Sequence, residues 1–380
     1  MSESLPVADP TPQPLPAAST PRPVPSRRNR PVTFYDMTFE ALTERLVAAG
    51  APAYRARQLY DWAYDKLVTG YDEMRNVPAG LRRALDETLP FSTMRPLREL
   101  VTDNGDTFKL LYQTFDGQLV ETVLMLYPDR ATVCVSCQVG CAVGCAFCAT
   151  GLGGLTRNLT AGEIVQQAVD AARKARQLGR QLTNLVMMGM GEPLQNYAET
   201  MRFVEIIHDP RGLNVGARRI TISTSGIVPR IDALADEPYQ VNLAVSLHAP
   251  TNELRSRLVP INVRWPIEEL LAACDRFTAK TGRRISFEYA LMNGINNSDA
   301  VARDLGRLLR GRLCHVNVIP FNPVDVLRFE RPNPEMIERF ASIVRAAGIP
   351  TTVRYSRGVE IDAACGQLRN RVAREMAASA

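Results

Sequence analysis

The chain has 380 residues, of which 46% are hydrophobic, enough for one large domain with a sizeable core and a smaller second domain. Its formal net charge of +5 is compatible with a nucleic-acid partner without defining one. No apolar run approaches the roughly 20 residues that a membrane span needs, and the N-terminus lacks a signal-peptide layout. We therefore expect a cytoplasmic protein without membrane association, whose thiols stay reduced.

The N-terminal stretch has the composition of a disordered segment. Residues 1–30 contain eight prolines and no aromatic residue. Such a stretch cannot bury enough apolar surface to offset the entropy lost on ordering. We predict a proline-rich arm over residues 1–35. Its basic end, at Arg27, Arg28 and Arg30, is either a solvated tail or an electrostatic contact to RNA.

Residues 36–98 have a helical pattern. Phe39, Leu42 and Leu46 fall on one helix face, and Gly50 ends that helix. Two further runs, 54–64 and 78–89, combine apolar or aromatic residues with arginines. We predict a small helical N-terminal domain that binds RNA. Its aromatic residues are expected in the core, and its arginines face either RNA or solvent.

Residues 99–126 show the two-residue period of a β-hairpin. The turn is expected at Asp116 and Gly117, a favoured turn pair. Glu121 shares a strand face with Leu119 and Val123. A carboxylate among apolar neighbours is either paired or a base with a raised pKa, and an edge-strand charge is the third possibility. We predict a β-hairpin linker over this segment.

Residues 127–358 alternate strands and helices. Strands are predicted before Cys134 and at 185–188, 219–223, 241–246, 285–291, 315–320 and 351–354. Helices are predicted between them, at 161–178, 197–207, 227–235, 266–278, 299–311 and 334–347. This alternation predicts an α/β fold with a parallel sheet and helical crossovers. About six such units without a G-x-G-x-x-G motif favour a partial (β/α)6 barrel over a doubly wound sheet.

Five of the eight cysteines lie between Cys134 and Cys148. Cys141, Cys145 and Cys148 form a C-x3-C-x2-C triplet, and intervening glycines let the backbone fold back so that the sulfurs can converge. Three thiolates on one loop indicate a metal or cluster site. One possibility is zinc, with Cys134 or Cys137 as a fourth ligand. The other is an iron–sulfur cluster with one open iron.

Polar and glycine residues follow several predicted strands. Because chemistry in a parallel barrel collects at the carboxyl ends of its strands, these residues should form one rim beside the cysteine loop. They are Gly189–Pro193 after the second strand, Ser223–Gly226 at the third, Ser246–His248 at the fourth and Asn322 after the sixth.

The motifs resemble one known family. The cysteine spacing, with Phe147 before the last cysteine, is similar to that of radical S-adenosylmethionine enzymes, and Gly191-Glu192 resembles their Gly-Glu-Pro motif. Over roughly residues 38–370 the chain resembles the RlmN family of 23S ribosomal-RNA adenine-C2 methyltransferases. The resemblance is specific because six motifs occur in order, CVSCQVGCAVGCAFCATG, VMMGMGEPLQNY, ITISTSG, VNLAVSLHAP, HVNVIPFNPV and IDAACGQL.

The resemblance implies a radical-SAM partial barrel and its cofactors. Cys141, Cys145 and Cys148 would hold a 4Fe–4S cluster, and two molecules of S-adenosylmethionine would be used per turnover. The positions that match the family's cofactor contacts are Gly191, Glu192, Ser223, Ser246, Leu247, His248 and Asn322.

The resemblance also implies catalytic residues. Cys365, in the C-terminal segment 359–380, matches the cysteine that becomes S-methylated, and Cys134 matches a second catalytic cysteine that forms a transient disulfide with it. Glu121 matches the proton acceptor, although either Glu121 or Cys134 could remove the C2 proton. Cys137 departs from the family, which usually has serine there, and we assign it no role.

The implied partners are 23S ribosomal RNA, transfer RNA as a second substrate, and an electron donor such as flavodoxin or ferredoxin, with the protein acting as a monomer. Two alternatives remain at this point. One is the related C8-methylating Cfr type, and the other is a non-catalytic, zinc-stabilised RNA-binding protein.

Overall fold

A computed structural model describes residues 30–323 and 327–355 of the chain. Its N-terminal part is helical, as predicted. The helices are α1 (Phe39–Ala48), α2 (Tyr54–Tyr60), continued by a π-helical turn at Asp61–Lys66, and α3 (Ala79–Thr88). The side chain of Thr38 caps α1 by accepting a hydrogen bond from the Ala41 N–H at 3.2 Å.

Aromatic residues form the core of this helical part, which confirms the prediction for Tyr60 and Tyr64 of the 54–64 run. Phe34 stacks on Phe91 with ring centroids 5.2 Å apart, and Tyr60 lies 4.9 Å from Tyr64. These rings are buried, whereas Tyr54 is exposed. Aromatic pairs of this kind stabilise a small core beyond the area that they bury.

Three antiparallel strands follow, β1 (Arg95–Val101), β2 (Thr107–Gln113) and β3 (Leu119–Leu126). The predicted hairpin is confirmed, with its turn at Asp116 and Gly117. Strand β1 was not predicted beyond its last residues, because most of its side chains are exposed and show no apolar alternation.

The remaining chain forms the predicted α/β fold. The strands are β4 (Ala131–Cys134), β5 (Gln138–Gly140), β6 (Leu155–Asn158), β7 (Asn184–Met187), β8 (Ile220–Thr224), β9 (Asn242–Ser246), β10 (Ile285–Leu291), β11 (Cys314–Pro320) and β12 (Thr351–Val353). The helices are α4 (Ala161–Gln177), α5 (Tyr197–His208), α6 (Val228–Asp236), α7 (Asn252–Leu258), α8 (Ile267–Thr281), α9 (Asp299–Leu309) and α10 (Pro334–Ala346).

One sheet runs through the whole molecule in the order β1-β2-β3-β4-β7-β8-β9-β10-β11-β12. From β4 to β12 all neighbouring strands are parallel, which confirms the partial barrel. Strands β5 and β6 pair separately, on either side of the cysteine loop. Among the described helices, none is long and apolar enough to cross a membrane.

The two faces of the parallel sheet differ in chemistry. One face carries large apolar residues that belong to the main core with the helices, including Ile222, Leu243, Phe287 and Val316. The strand register places the alternate residues on the opposite, inner face. That face is largely polar, with Thr221, Ser223, Asn242, Ser246, Ser286, Glu288, His315 and Asn317.

A buried charge cluster fixes the hairpin to the barrel. Arg157 of β6 lies 2.8 Å from Asp116 in the hairpin turn and 2.7 Å from Glu163 at the start of α4. All three side chains are almost fully buried, and the arginine is bidentate to both carboxylates. The turn, the cysteine-loop hairpin and α4 are therefore held in one arrangement.

Candidate active site

The cysteine loop is shaped by one glycine above all. The Cys141 N–H donates to the carbonyl oxygen of Gly154 at 2.9 Å, across the β5–β6 hairpin. Gly140 has a φ of +81°, and a Cβ there would lie 2.0 Å from the same oxygen. Only glycine fits this position. Gly144 also has a positive φ, as the predicted fold-back of the loop requires.

The loop thiols are partly buried and affect one another. Burial raises the pKa of the Cys141 thiol to about 12 and raises that of Cys145 further. The neighbouring thiol of Cys148 adds to both shifts, which places the three sulfurs within electrostatic range. Within residues 30–323 and 327–355, however, no three Cys, His, Asp or Glu side chains are gathered as a ready-made metal site.

This donor set fits a cluster that binds three thiolates together. Burial opposes ionisation of the Cys141 and Cys145 thiols, and a bound metal offsets that cost. The two other nearby thiols stand apart in the fold, since Cys134 ends β4 and Cys137 packs in the main apolar core. None of the seven described cysteines is in a disulfide.

The loop after β7 is built around Gly191 and Glu192. Gly191 has a φ of +106°, and a Cβ there would lie 2.8 Å from the Gln138 nitrogen. The Glu192 carboxylate accepts hydrogen bonds from the Leu194 N–H at 3.0 Å and from the N–H and hydroxyl of Ser225 at 2.7 and 2.8 Å. Burial raises the pKa of Glu192. The carboxylate thus joins the carboxyl ends of β7 and β8.

His248, just after β9, links the barrel to the cysteine loop. Its φ is +59°, and its Nδ1 accepts a hydrogen bond from the Ala290 N–H at 2.9 Å. Its ring packs edge-on against Phe147, with centroids 4.7 Å apart. Burial, together with the charge of Arg255, lowers the pKa of His248 to about 3. The imidazole is therefore neutral, with its proton on Nε2.

Two buried oxygens that can only accept hydrogen bonds, Glu288 Oε2 and Asn322 Oδ1, lack hydrogen-bond partners in the described part of the chain. The other Glu288 oxygen accepts from Asn317 Nδ2 at 2.8 Å, and Arg354 stays 3.9 Å from Oε2. Burial raises the pKa of Glu288. An unsatisfied buried acceptor is costly, so this inner face fits a ligand that carries hydrogen-bond donors. S-Adenosylmethionine has such donors in its ribose hydroxyls and amino groups.

Glu288 is a candidate that the sequence prediction missed. It is the direct register partner of Ser246 on β9 and of Asn317 on β11, so the three share the inner face. The signal was present in the strand Ile-Ser-Phe-Glu-Tyr-Ala-Leu, where the glutamate alternates with apolar residues that face the helices.

Glu121 and Cys134 lie on one face of the sheet. Val123 of β3 pairs with Cys134 of β4, and Glu121 is two residues from Val123 on the same face. The Glu121 carboxylate is buried and lies 3.0 Å from Lys109 Nζ. Of the predicted possibilities, the structure therefore shows the paired carboxylate and excludes an edge-strand charge.

Ser136 joins this hairpin to the loop after β7. Its hydroxyl donates to the Glu121 carbonyl at 2.6 Å and accepts from the Met190 N–H at 2.9 Å. Ser223, Ser246 and Leu247 lie at the carboxyl ends of β8 and β9, as predicted. Cys365 lies outside the described residues, as do the arm before Arg30 and the last 25 residues.

A thiol loop at the carboxyl end of a partial parallel barrel defines the class of radical S-adenosylmethionine enzymes. Residues 135–305 match the family described as the radical SAM superfamily, and residues 32–90 match the ribosomal RNA large subunit methyltransferase N-terminal domain. A crystal structure of a radical SAM methyltransferase from Sphaerobacter thermophilus is similar throughout. It has a TM-score of 0.88 and 63% identity, and the match covers 89% of this chain and 99% of that one.

Proteins with high sequence identity identify the family within the class of radical S-adenosylmethionine enzymes. The probable dual-specificity RNA methyltransferase RlmN of Symbiobacterium thermophilum is 49% identical over 344 residues, covering 89% of this chain and 91% of that protein. Its counterpart in Chloroflexus aurantiacus is 50% identical over 348 residues, covering 89% and 92%. The chain belongs to the RlmN family of radical S-adenosylmethionine methyltransferases. Its cofactors are a 4Fe–4S cluster and S-adenosylmethionine, used twice per turnover.

Proposed function

We propose that the protein methylates C2 of an adenine in 23S ribosomal RNA and C2 of an adenine in transfer RNA, through an S-methylcysteine. The observation that carries this proposal is the placement of Cys134 and Glu121 on one face of the sheet, on the two strands that directly precede the cysteine-loop hairpin in the chain. The relatives named dual-specificity RNA methyltransferases support the RNA substrate.

The rim residues would hold the cofactors. Cys141, Cys145 and Cys148 are the proposed cluster ligands, and the cluster, when bound, supplies the electron that cleaves S-adenosylmethionine. Glu192 is a proposed cofactor contact that also holds the β7 and β8 strand ends together. The oxygens of Glu288 and Asn322 that lack hydrogen-bond partners would accept hydrogen bonds from the cofactor. The other proposed contacts are Gly191, Ser223, Ser246, Leu247 and His248.

The remaining residues would handle the methyl group and the proton. An adenine C2 has no nucleophilic lone pair, so a simple displacement on the sulfonium is closed to it. Cys365 would carry the methyl group as a thioether, lose one hydrogen atom from it to the cleaved cofactor, and bond to C2 through the resulting carbon, with one electron returned to the cluster. Glu121 or Cys134 would then take the C2 proton. Attack of the Cys134 thiolate on the Cys365 sulfur would break the bond from that sulfur to the methylene carbon, which takes up a proton as methylated RNA is released. It would leave a disulfide, which a cellular dithiol reduces.

Burial of the proposed catalytic residues determines how the target adenine would reach them. Cys134 and Glu121 are buried, so the target adenine must leave its stack to reach them. Residues 36–98 are proposed as the RNA-binding domain, with the exposed arginines Arg75 and Arg83 as phosphate contacts. Such contacts would make binding steeply salt-dependent. We also propose a monomer in the cytoplasm that receives electrons from a flavodoxin or ferredoxin.

The products test the proposal. The protein is purified anaerobically, loaded with iron and sulfide, and incubated with reductant, S-adenosylmethionine and either 23S ribosomal RNA or transfer RNA. Mass spectrometry of the product nucleosides should show 2-methyladenosine from both RNAs. Formation of 8-methyladenosine would assign the Cfr type instead. Colourless protein that holds one zinc and no sulfide would indicate the non-catalytic alternative.

A further inference from the structure

Arg255 is a fully buried arginine whose surroundings the proposed chemistry does not explain. It lies on α7, and its side chain has no exposed surface. In the part of the chain that the structure describes, its hydrogen-bond partners are all neutral oxygens rather than carboxylates. A charged side chain is rarely buried without a counter-charge, because desolvation of an ion is expensive. The surroundings of Arg255 therefore call for an anion.

The guanidinium holds together the ends of two barrel strands. It donates to the carbonyl oxygens of Ser225 at 2.6 Å, Ser246 at 3.1 Å and Leu247 at 3.1 Å, and to the Asn262 side chain at 2.8 Å. Ser225 at the same time donates to the Glu192 carboxylate. Arg255 thus fixes the strand ends from which the proposed cofactor contacts project, and four donors in a rigid fork suit this task.

The same helix lies against the cysteine loop. The Ala146 N–H, between two cluster cysteines, donates to the Leu258 carbonyl oxygen at 3.0 Å. Leu258 also packs in one apolar cluster with Val143 and the partly buried Cys145. Arg255 donates to the Leu247 carbonyl oxygen at 3.1 Å, and the next residue, His248, packs against Phe147 of the cysteine loop with ring centroids 4.7 Å apart. The guanidinium therefore lies within electrostatic range of the loop.

We propose that Arg255 is the counter-charge of the cluster-bearing loop and the positioning residue of the adjacent rim. The negative charge of three thiolates exceeds the positive charge of an oxidised cluster core, so the cluster-loaded loop has a net negative charge. A one-electron reduction adds a further negative charge. A fixed cation in a low-dielectric surrounding stabilises the reduced form more than the oxidised one, and so raises the reduction potential. The proposal concerns the cofactors and is independent of which RNA is methylated.

Redox titration of the full-length, cluster-loaded protein, followed by electron paramagnetic resonance, tests the charge. In R255Q and R255M we expect the equilibrium constant for one-electron reduction of the cluster to fall at least tenfold. This corresponds to a reduction potential lower by about 59 mV or more. R255K keeps the charge and should stay within about twofold of the wild type. The matched control is R257M, which removes an exposed arginine from the same helix and should leave the potential unchanged.

S-Adenosylmethionine binding to the loaded protein, measured by calorimetry, tests the positioning role. R255K loses the fork to Ser225 and Ser246, so its affinity should fall at least fivefold while its potential is kept. Potentials in R255Q and R255M equal to that of R257M would overturn the counter-charge. If the neutral variants fail to load, iron retained by R255K alone supports the proposal. Loss of iron from R255Q, R255M and R255K alike would show that Arg255 has a structural role only, and would overturn the proposal.

Discussion

The helical N-terminal core and the barrel rim bury polar groups in opposite ways. In the N-terminal core the buried groups are neutral rings, and two of their hydroxyls donate to backbone carbonyls, Tyr60 to Met37 and Tyr71 to Leu89, each at 2.8 Å. The Tyr64 hydroxyl is an exception, without a partner among the described residues. The rim instead buries ionisable side chains, Glu192, Arg255 and Glu288.

This difference separates stability from function. A core of uncharged groups, most of them hydrogen-bonded, gains stability from its ring contacts. A rim that holds a carboxylate oxygen without a hydrogen-bond partner and an arginine without a carboxylate partner is costly until ligands bind. We infer that the N-terminal core is built to hold a shape, and that the rim is built to be completed by cofactors.

The largest expected effect is loss of the cluster. C148A removes one of three thiolates, and the two that remain cannot hold the cluster. Iron and acid-labile sulfide should fall to background and methylation should be abolished. The control is C137S, which changes a thiol in the main core outside the loop and should keep full iron. Full iron content in C148A would contradict the assignment of the loop.

Removal of the Phe34 ring should lower the stability of the helical N-terminal core and leave the barrel rim unchanged. Phe34 is fully buried and contacts five aromatic rings, so F34A should lower the free energy of unfolding by about 3–5 kcal/mol. Chemical denaturation measures this loss. The folded variant should bind S-adenosylmethionine as the wild type does. Weaker cofactor binding would show that the two regions are coupled.

Substitution of Glu288 should raise stability and weaken cofactor binding, the opposite of the effects expected for F34A. E288Q removes a buried charge, so the unfolding free energy at neutral pH should rise by about 1 kcal/mol, while cofactor affinity falls about tenfold through the lost charged acceptor. Calorimetric titration and chemical denaturation measure the two effects. Lower stability together with unchanged affinity would contradict a ligand-binding role.

The stability gain of E288Q should depend on pH. Because burial raises the folded pKa of Glu288, ionisation of the carboxyl destabilises the fold. That penalty is absent below its usual pKa of 4.5, grows as the pH rises and is complete above the raised folded pKa. The stability gain of E288Q should therefore grow from pH 4.5 upward. A gain that does not change with pH would exclude this cause.

The smallest effect is expected at an exposed charge. Arg57 pairs with Asp61 one helical turn away, at 2.8 Å, and both side chains are largely exposed. R57A should change the free energy of unfolding by at most about 0.5 kcal/mol, because solvent and ions screen such a pair. A larger loss in chemical denaturation would show that burial is not what distinguishes the rim charges.

The sequence predicted most of the barrel because its strands and helices alternate with clear periods. The bounds of β10 were predicted to the residue, and those of β7, β8 and α4 to within one. Glu121 was placed on the correct face by the period alone. Its ion pair with Lys109 could not be predicted, since it depends on the strand register.

What the sequence could not show depends on tertiary contacts. Helix α7 has only seven residues, and its run Asn-Glu-Leu-Arg-Ser-Arg-Leu has the polar composition of an exposed segment. Nothing in that run distinguishes the buried Arg255 from the exposed Arg257. Only the arrangement of the β8 and β9 strand ends around Arg255 makes the difference. The partnership of Cys134 with Cys365 stays a prediction.

Product release depends on Cys134 attacking Cys365, and removal of the Cys134 thiol isolates that step. In C134A, Cys365 should still become linked to RNA, but no thiolate remains to release the product. Incubation of the loaded variant with reductant, S-adenosylmethionine and 23S ribosomal RNA, followed by gel electrophoresis and peptide mass spectrometry, should show a covalent adduct between Cys365 and adenine. C137S should show no adduct and normal product. Free methylated RNA from C134A, without an adduct, would contradict the account.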